Sequence, residues 1–333
     1  MYYRKLGRTN LKVSPITLGT MTFGVTATEK ESHRILDMAL DMGINLIDTS
    51  NDYGNPNWGA SETIIGNWLA KNPTKRDRII LATKVYQEKP APHLPNEEAG
   101  LSAYKIHKQI EESLSRLQTD RIDLYQVHHL DRTICGEELW GSFHRLMNQG
   151  KVIYAGASNY NGWGLAKHQM QAAQLGHLGF VSEQTMYSLI CRYSELDLMP
   201  CAEDFGIGIL AYMPLAGGLL AGSERSRQDS RARAVMDWYG LDEAIYEPKL
   251  RDYDALCKAL NMSGNALAIA WILANPAVAS AIVGIRTVAQ FNGLQAALEA
   301  NLSHDTLAQL DTLFPIQAGK QLRNQPAPEA YAW

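Results

Sequence analysis

Short runs of aliphatic and β-branched residues recur along the whole chain, separated by segments whose apolar residues follow helical spacing. Between two runs, for example, Ile106, Ile110, Leu114 and Leu117 would share one face of a helix. The runs are apolar throughout rather than alternating, which is typical of a parallel sheet covered by helices. Eight such strand and helix units predict a (β/α)8 barrel. The runs are 16–19, 44–49, 79–84, 123–128, 152–157, 180–184, 207–212 and 279–284.

The α/β class also contains doubly wound open sheets, which usually carry a G-x-G-x-x-G turn after the first strand. The sequence has no such turn at that place, so the barrel is favoured. Segments 2–6 and 11–13 flank residues 7–10 and predict a β-hairpin that closes the bottom of the barrel. Because no linker or low-complexity tract interrupts the pattern, we expect a single α/β domain over residues 1–333. Its predicted fold is a (β/α)8 TIM barrel with an N-terminal β-hairpin and a C-terminal helix and tail.

Composition excludes several classes of function. The 333 residues carry a net charge of −4, which offers no cationic field for a polyanion, so we expect no nucleic-acid partner. The four cysteines form no C-x-x-C pair and have no histidines at metal-binding spacing, so they predict buried free thiols rather than disulfides or a metal site. These cysteines are Cys135, Cys191, Cys201 and Cys257.

One uncharged stretch, residues 266–285, is long enough to raise the question of a membrane span. Asn275-Pro276 interrupts its middle, so we interpret it as a helix followed by a short strand. The opening segment MYYRKLGRTNLKVS is polar and basic and lacks the apolar core of a secretory signal. A cytoplasmic protein without a membrane partner is therefore the expectation.

Polar residues close most of the apolar runs. In a barrel enzyme the site lies at the carboxyl ends of the strands, so these residues are the informative ones. Each alone could cap a helix or hydrogen-bond within the core, but polar residues on successive strand ends converge on one mouth. The residues are Asp48, Lys84, His128, Ser158, Asn159, Gln184 and Tyr212.

Four side chains near this mouth suggest a proton donor and the groups that tune it. Tyr53 follows the second barrel run, and an ammonium such as Lys84 lowers a tyrosine pKa from its usual value of about 10. Asp48 would hold Lys84 charged, and a neutral His128 could position a carbonyl oxygen as it gains alkoxide character. No serine lies in a G-x-S-x-G elbow for acyl transfer. The set favours carbonyl reduction by hydride, which requires a cofactor.

At these positions the sequence resembles the aldo-keto reductase family along nearly its whole length. Single fragments such as TK or SN are uninformative, whereas their joint order and their placement at strand ends are specific. The resembling segments are KLGRTNLKVSPITLGTMTFG, INLIDTSNDYG, LATK, DLYQVHHLD, GKVIYAGASNY, ILAYMPLAGGLLAG and SAIVGIRTVAQ.

The resemblance implies a (β/α)8 enzyme that binds NADP(H) in extended form, needs no metal and reduces a small carbonyl substrate. Its implied catalytic tetrad is Asp48, Tyr53, Lys84 and His128.

The same resemblance implies which residues contact the cofactor. An arginine suits the 2′-phosphate because its guanidinium donates a bidentate pair of hydrogen bonds. The implied contacts are Ser158, Asn159 and Gln184 at the carboxamide; Tyr212 on the nicotinamide ring; Gly19, Thr20, Met21 and Asp48 beside it; Pro214, Leu215, Gly217 and Leu219 near the pyrophosphate; and Gly284, Arg286 and Gln290 at the 2′-phosphate segment.

Two departures from the family pattern bear on these expectations. Where the family usually has a Glu-Asn pair against the adenine, this chain has Gly293-Leu294, which leaves the preference between NADP and NAD open. After His128 many members have an aromatic residue and a proline, whereas His129 follows here. Because neighbouring residues in a strand point to opposite faces, we expect at most one of the two histidines to line the site.

Three functional hypotheses stay open at this point. The first is an NADPH-dependent reductase of aldehydes or ketones with Tyr53 as general acid. The second is a reductase of nucleotide-linked keto-deoxysugars, since HHLDR, SEQTMYSLI and PLAGGLL are similar to that branch. The third is a nucleotide-sensing accessory subunit, a role that members with this barrel also take. The arginine-rich loop 223–233 would meet a substrate phosphate or fold over the cofactor.

Overall fold

The structure, a computed structural model, describes residues 1–87, 96–222 and 243–316. Eight parallel strands form a closed barrel, which confirms the predicted TIM-barrel fold. Each predicted run agrees with an observed strand to within two residues at either end. From neighbour to neighbour around the barrel, the strands are β10 (Val278–Gly284), β3 (Ile16–Gly19), β4 (Leu46–Asp48), β5 (Ile80–Val85), β6 (Ile122–Val127), β7 (Val152–Ser158), β8 (Phe180–Met186) and β9 (Gly208–Tyr212).

Helices pack their apolar faces against the outside of the barrel. Several begin at a residue whose side chain accepts a backbone N–H of the first turn, namely Thr28, Ser102, Asn161, Ser263 and Ser303. The α-helices are α1 (Glu29–Asp41), α2 (Ala60–Lys71), α3 (Ala103–Leu117), α4 (Gly136–Asn148), α5 (Gly162–Gln174), α6 (Leu198–Asp204), α7 (Glu243–Ala259), α8 (Gly264–Ala274), α9 (Asn292–Glu299) and α10 (His304–Leu313), and the 3-10 helices are Pro73–Arg78, Tyr193–Glu195, Ala216–Gly218 and Val288–Phe291.

The predicted N-terminal hairpin is confirmed. Its two short antiparallel strands are β1 (Arg4–Lys5) and β2 (Lys12–Val13). The turn between them lies against the starts of β8 and β9, where the backbone N–H of Arg8 donates to the carbonyl of Gly206 at 2.6 Å. Gly7 has a φ of +54°, and an added Cβ would lie 2.7 Å from the carbonyl oxygen of Val181, so only glycine fits there.

The side chains of the hairpin enter the amino-terminal end of the barrel. Leu6 and Val13 are fully buried and belong to one apolar cluster with residues from the barrel interior. The hairpin therefore closes this end, as the sequence predicts. The interior residues of the cluster include Leu46, Ile80, Leu124, Val181 and Leu210.

The uncharged stretch 266–285 divides into helix α8 and strand β10, as predicted. In the described ranges no single helix is long and apolar enough to cross a membrane, although the bent pair formed by α7 and α8 meets the test by length and composition.

The prediction of four buried thiols is wrong for Cys135. This cysteine is exposed because it lies in the loop that leads into helix α4. Cys191 and Cys257 are buried as predicted, and Cys201 is half-buried. The arginine-rich loop 223–233 and residues 317–333 of the predicted tail fall outside the residues that the structure describes.

Candidate active site

A buried ion pair lies at the carboxyl ends of β4 and β5. The Nζ of Lys84 lies 2.6 Å from Oδ2 of Asp48 and also donates to the carbonyl of Thr49 at 2.8 Å. Lys84 has no exposed surface and Asp48 is 2% exposed. Burial alone would lower the pKa of Lys84, but the adjacent carboxylate of Asp48 outweighs it and raises that pKa. Lys84 is therefore a permanently charged ammonium inside the barrel mouth.

Tyr53 completes a chain of three groups. Its hydroxyl lies 3.1 Å from the Nζ of Lys84, and the ammonium lies 4.7 Å from the centre of its ring. Burial raises the pKa of Tyr53 to about 12, because desolvation together with the carboxylates of Asp48 and Asp52 outweighs the lowering effect of Lys84. The ammonium of Lys84 lowers this pKa, as predicted, but the cost of burying a phenolate, which the sequence pattern does not reveal, is larger.

His128 follows strand β6 at the same mouth. Its ring centre lies 6.1 Å from that of Tyr53, in an edge-on arrangement. Burial and the nearby ammonium of Lys84 hold the pKa of His128 well below its usual value, so the imidazole is neutral. This agrees with the neutral His128 predicted from the sequence.

His129 does not point away from His128 as predicted. The two rings stack with their centres 5.2 Å apart, and His129 also lies 5.1 Å from the ring of Tyr86. The alternation rule fails here because β6 ends at Val127, so neither histidine is in extended strand geometry.

Two glutamines hold the other oxygen of Asp48. The Nε2 atoms of Gln126 and Gln184 each donate to Oδ1 of Asp48 at 2.9 Å, and Gln184 also donates to Oε1 of Gln126 at 3.1 Å. Gln184 was predicted only as a contact of the nicotinamide carboxamide, and Gln126 was not predicted. A signal was available, because Gln126 is an amide side chain inside the predicted run 123–128 and close to its carboxyl end, where the site was expected.

Ser158, Asn159 and Tyr212 form a connected group on the next strands. Ser158 donates its hydroxyl to the carbonyl of Gln184 at 2.9 Å. Asn159 donates from Nδ2 to the carbonyl of His128 at 3.0 Å, and its Oδ1 accepts from the hydroxyl of Tyr212 at 2.8 Å. The predicted group is therefore brought together at one end of the barrel.

Asn159 adopts a left-handed backbone conformation with a φ of +59°. The next residue, Tyr160, donates its backbone N–H to Oε1 of Glu183 at 3.1 Å. Glu183 is fully buried, and burial raises its pKa well above the usual value. Glu183 was not predicted as a site residue, although a carboxylic acid within an apolar run is itself a signal.

The predicted residues after β3 lie beside Asp48. Gly19 pairs with Asp48 in the sheet, and Thr20 donates both its backbone N–H and its hydroxyl to the carbonyl of Asp48, at 3.0 and 2.9 Å. Thr20 is buried, whereas Met21 is 48% exposed. Met21 therefore presents its side chain outside the packed interior.

The segment after β9 makes a tight turn of two left-handed glycines. Gly217 has a φ of +68° and Gly218 a φ of +105°, and a Cβ added at Gly218 would meet nothing within 4 Å. Leu219 of the same segment is buried in the core. The turn thus leaves its backbone approachable at Gly218 and is anchored by Leu219.

The segment after β10 is similarly open. Gly284 has free space around its Cα, and Arg286 is half-buried next to it. Oε1 of Gln290 accepts the backbone N–H of Arg286 at 2.7 Å, so this amide holds the turn together. At Gly293 a side chain would again meet nothing within 4 Å.

These features fit an extended dinucleotide. The amide of Gln184 lies against Asp48 of the buried ion pair, and Ser158 and Asn159 are hydrogen-bonded to the backbone carbonyls of Gln184 and His128. Backbone without side chains is open at Gly218 and Gly284. Small residues let a phosphate approach the main chain closely, and a half-buried guanidinium adds positive charge.

The barrel, its closed bottom and the polar side chains at its mouth together define a class of protein. The chain belongs to the aldo/keto reductase family, which its residues 15–314 match. It is accordingly an oxidoreductase that acts on carbonyl or alcohol groups, and the family typically uses NAD(P)H.

Several curated proteins are similar to the chain over most of its length. Uncharacterized oxidoreductase YrpG of Bacillus subtilis is 44% identical, with 100% of both chains covered. Protein tas of Escherichia coli is 31% identical over 98% of this chain and 100% of its own. Norsolorinic acid reductase B of Dothistroma septosporum is 29% identical over 96% of this chain and 83% of its own.

Proposed function

We propose that the chain, as one barrel domain over residues 1–333, is an NADPH-dependent carbonyl reductase with Asp48, Tyr53, Lys84 and His128 as its catalytic residues. The observation that carries this proposal is the distance of 3.1 Å between the Tyr53 hydroxyl and the ammonium of Lys84, which is itself paired with Asp48 at 2.6 Å. A buried proton donor held by a permanent cation suits the protonation of a developing alkoxide.

When bound, the reduced nicotinamide supplies the hydride. Ser158, Asn159 and Gln184 would hold its carboxamide, and Tyr212 would lie against its ring. The open backbone near Gly218 suits the pyrophosphate. The remaining contacts that we propose are Gly19, Thr20, Met21, Pro214, Leu215, Gly217, Leu219, Gly284, Arg286 and Gln290.

Proton transfer in this proposal involves three side chains. As the carbonyl carbon gains hydride, its oxygen takes the proton of the Tyr53 hydroxyl, and the phenolate that remains is stabilised by the ammonium of Lys84. Asp48 keeps that ammonium in place. His128, neutral because its pKa is low, directs the carbonyl oxygen toward Tyr53 by donating a hydrogen bond.

The first test is Tyr53→Phe, which removes the hydroxyl and keeps the ring. We expect turnover to fall by roughly 10²-fold or more, the contribution usual for general acid catalysis. The dissociation constant for NADPH, followed by fluorescence, should change little because the ring remains. Equal turnover of Tyr53→Phe and wild type would overturn the assignment of Tyr53.

One assay separates the three functional hypotheses. NADPH and NADH are titrated first, and then 4-nitrobenzaldehyde is added while the cofactor absorbance is followed. Oxidation of NADPH with this aldehyde supports a general carbonyl reductase, and turnover restricted to a nucleotide-linked keto-deoxysugar supports that narrower branch. Binding of NADPH without turnover of either substrate supports the nucleotide-sensing role.

A further inference from the structure

Ser50 lies between a carboxyl group and the ring of His128. The hydroxyl Oγ of Ser50 is hydrogen-bonded to Oδ1 of Asp52 and lies 3.4 Å from Nδ1 of His128. Oδ1 of Asp52 itself lies 3.6 Å from the same ring nitrogen. Two oxygens from the loop after β4 therefore face Nδ1, and Nε2 is the ring nitrogen left for a substrate.

The proton on this hydroxyl can point only one way at a time. When Asp52 is ionised, Ser50 donates to the carboxylate and turns a lone pair toward Nδ1 of His128. The negative charge of Asp52 also attracts a proton to that nitrogen. Both effects favour a proton on Nδ1, which leaves Nε2 as a bare acceptor. When Asp52 is protonated, it donates to Ser50, and Ser50 donates to Nδ1. The single proton of the neutral imidazole is then on Nε2.

We propose that Ser50 and Asp52 are positioning residues that determine which ring nitrogen of His128 carries its proton, with protonated Asp52 giving the Nε2–H form. The proposal rests on the proposed function, in which His128 donates a hydrogen bond to the carbonyl oxygen. Only the Nε2–H form can make that donation. The Nδ1–H form instead offers Nε2 as an acceptor to the hydroxyl of an alcohol, which suits the reverse reaction.

The surroundings of Asp52 move its change of charge to a higher pH than is usual for an aspartate. Burial raises the pKa of Asp52 above its usual value, and Asp48 raises it further, against the lowering effects of Ser50 and Lys84. The side chain keeps 17% of its surface exposed, so protons can reach it from solvent.

The other groups that face His128 keep their protonation state near neutral pH. Lys84 stays charged because the adjacent carboxylate of Asp48 outweighs burial and raises its pKa, and Tyr53 stays neutral because burial outweighs the effect of Lys84 and raises its pKa to about 12. His129, stacked on His128, is neutral because burial lowers its pKa to about 4. Asp52 is therefore the group whose titration His128 would sense.

The direct test is nuclear magnetic resonance of the full-length protein labelled with ¹⁵N at histidine, recorded from pH 5 to 8. The His128 signals are assigned with His128→Gln. In the wild type we expect a change from the Nε2–H to the Nδ1–H form as the pH rises. In Asp52→Asn the Nε2–H form should persist at every pH, because the amide of the introduced asparagine donates to Ser50 as a protonated carboxyl does.

Ser50→Ala is the matched control, since it removes the relay and keeps the carboxyl. Its His128 should show a smaller pH-dependent change, driven only by the carboxylate at 3.6 Å. A His128 signal that keeps one tautomer across the range in the wild type, or the Nδ1–H form in Asp52→Asn, overturns the proposal.

Kinetics give a second readout. For carbonyl reduction we expect the wild-type kcat to fall about tenfold for each unit of pH above the pKa of Asp52, and the profile of Asp52→Asn to lose this fall. The tautomer measurement needs no turnover, so it can fail or succeed apart from the proposed function. If the tautomer changes as expected and Tyr53→Phe retains full activity, the relay stands and the reductase mechanism does not.

Discussion

Glu183 illustrates how one buried side chain can position a residue of the candidate site. Its carboxyl oxygen accepts a hydrogen bond from the backbone N–H of Tyr160, the residue that follows Asn159 with its left-handed backbone. Glu183→Ala would leave that buried N–H without its acceptor, a cost of about 1–3 kcal/mol. Because Asn159 is a proposed carboxamide contact, we expect NADPH to bind roughly tenfold more weakly, as measured by fluorescence titration.

Glu183→Gln is the matched control for this prediction. The amide oxygen of glutamine can still accept the N–H of Tyr160, and burial, which raises the pKa of Glu183 well above its usual value, disfavours a charge at this position. We expect wild-type affinity for NADPH in this variant. If Glu183→Ala also binds NADPH like the wild type, Glu183 does not position Asn159.

For individual residues, the sequence predicted which side chains lie at the mouth of the barrel. It did not predict all of their hydrogen bonds or their pKa values. Asp48, Lys84 and Tyr53 could be placed because they close apolar runs, and strand ends converge. Ser50 and Asp52 were missed because hydrogen bonds between loop side chains depend on turn geometry. The effect of Lys84 on the pKa of Tyr53 was predicted correctly, but the larger effect of burial was not, because burial depends on every neighbour at once.

Helices α2 and α3 approach each other closely because α2 has a glycine, Gly66, at the contact. A Cβ added at Gly66 in α2 would lie 2.1 Å from the carbonyl oxygen of Arg116 in α3. Because this neighbour is backbone, the helices must separate, and we expect Gly66→Ala to lower the free energy of unfolding by about 1–3 kcal/mol. Urea denaturation measures this difference.

Gly141 in helix α4 provides the control. It is also helical, but an added Cβ would meet nothing within 4 Å. Gly141→Ala should therefore raise the free energy of unfolding by about 0.5–1 kcal/mol, since alanine favours a helix interior. A loss of stability in both variants would show that the close approach of α2 and α3 is not the cause.

Elements were predicted well where the apolar pattern alone decides them. The eight barrel runs are bounded by turn residues, which explains the agreement with the observed strands. The hairpin strands are only two residues each, shorter than segments 2–6 and 11–13 suggest. Between them, Gly7 lies against the backbone of Val181, Gly206 and Gly208, a tertiary contact that no local pattern contains.

For the whole molecule, buried neutral histidines predict how stability depends on pH. His168 is 1% exposed and faces the hydroxyl of Tyr160 at 3.0 Å, and burial lowers its pKa from 6.5 to about 4. Between these values the unfolded chain binds the proton and the folded chain does not, so stability falls as the pH falls. At pH 5 we expect His168 alone to remove about 2 kcal/mol relative to pH 7.

The measurement is urea denaturation of the wild type and of His168→Gln at pH 7 and pH 5. Glutamine cannot gain a proton, so the variant should lose about 2 kcal/mol less than the wild type between the two pH values. An equal loss in both proteins would mean that His168 is protonated in the folded state.

The hairpin covers the amino-terminal end of a barrel whose interior is filled by apolar side chains, so ligands reach the candidate site from the other end alone. Leu6 and Val13 fill its base, and the candidate site lies at the opposite rim. A ligand of the candidate site must therefore enter and leave through the same opening. If two ligands bind there one behind the other, the outer ligand must bind last and dissociate first. The closed end of the barrel therefore imposes an order of binding and release.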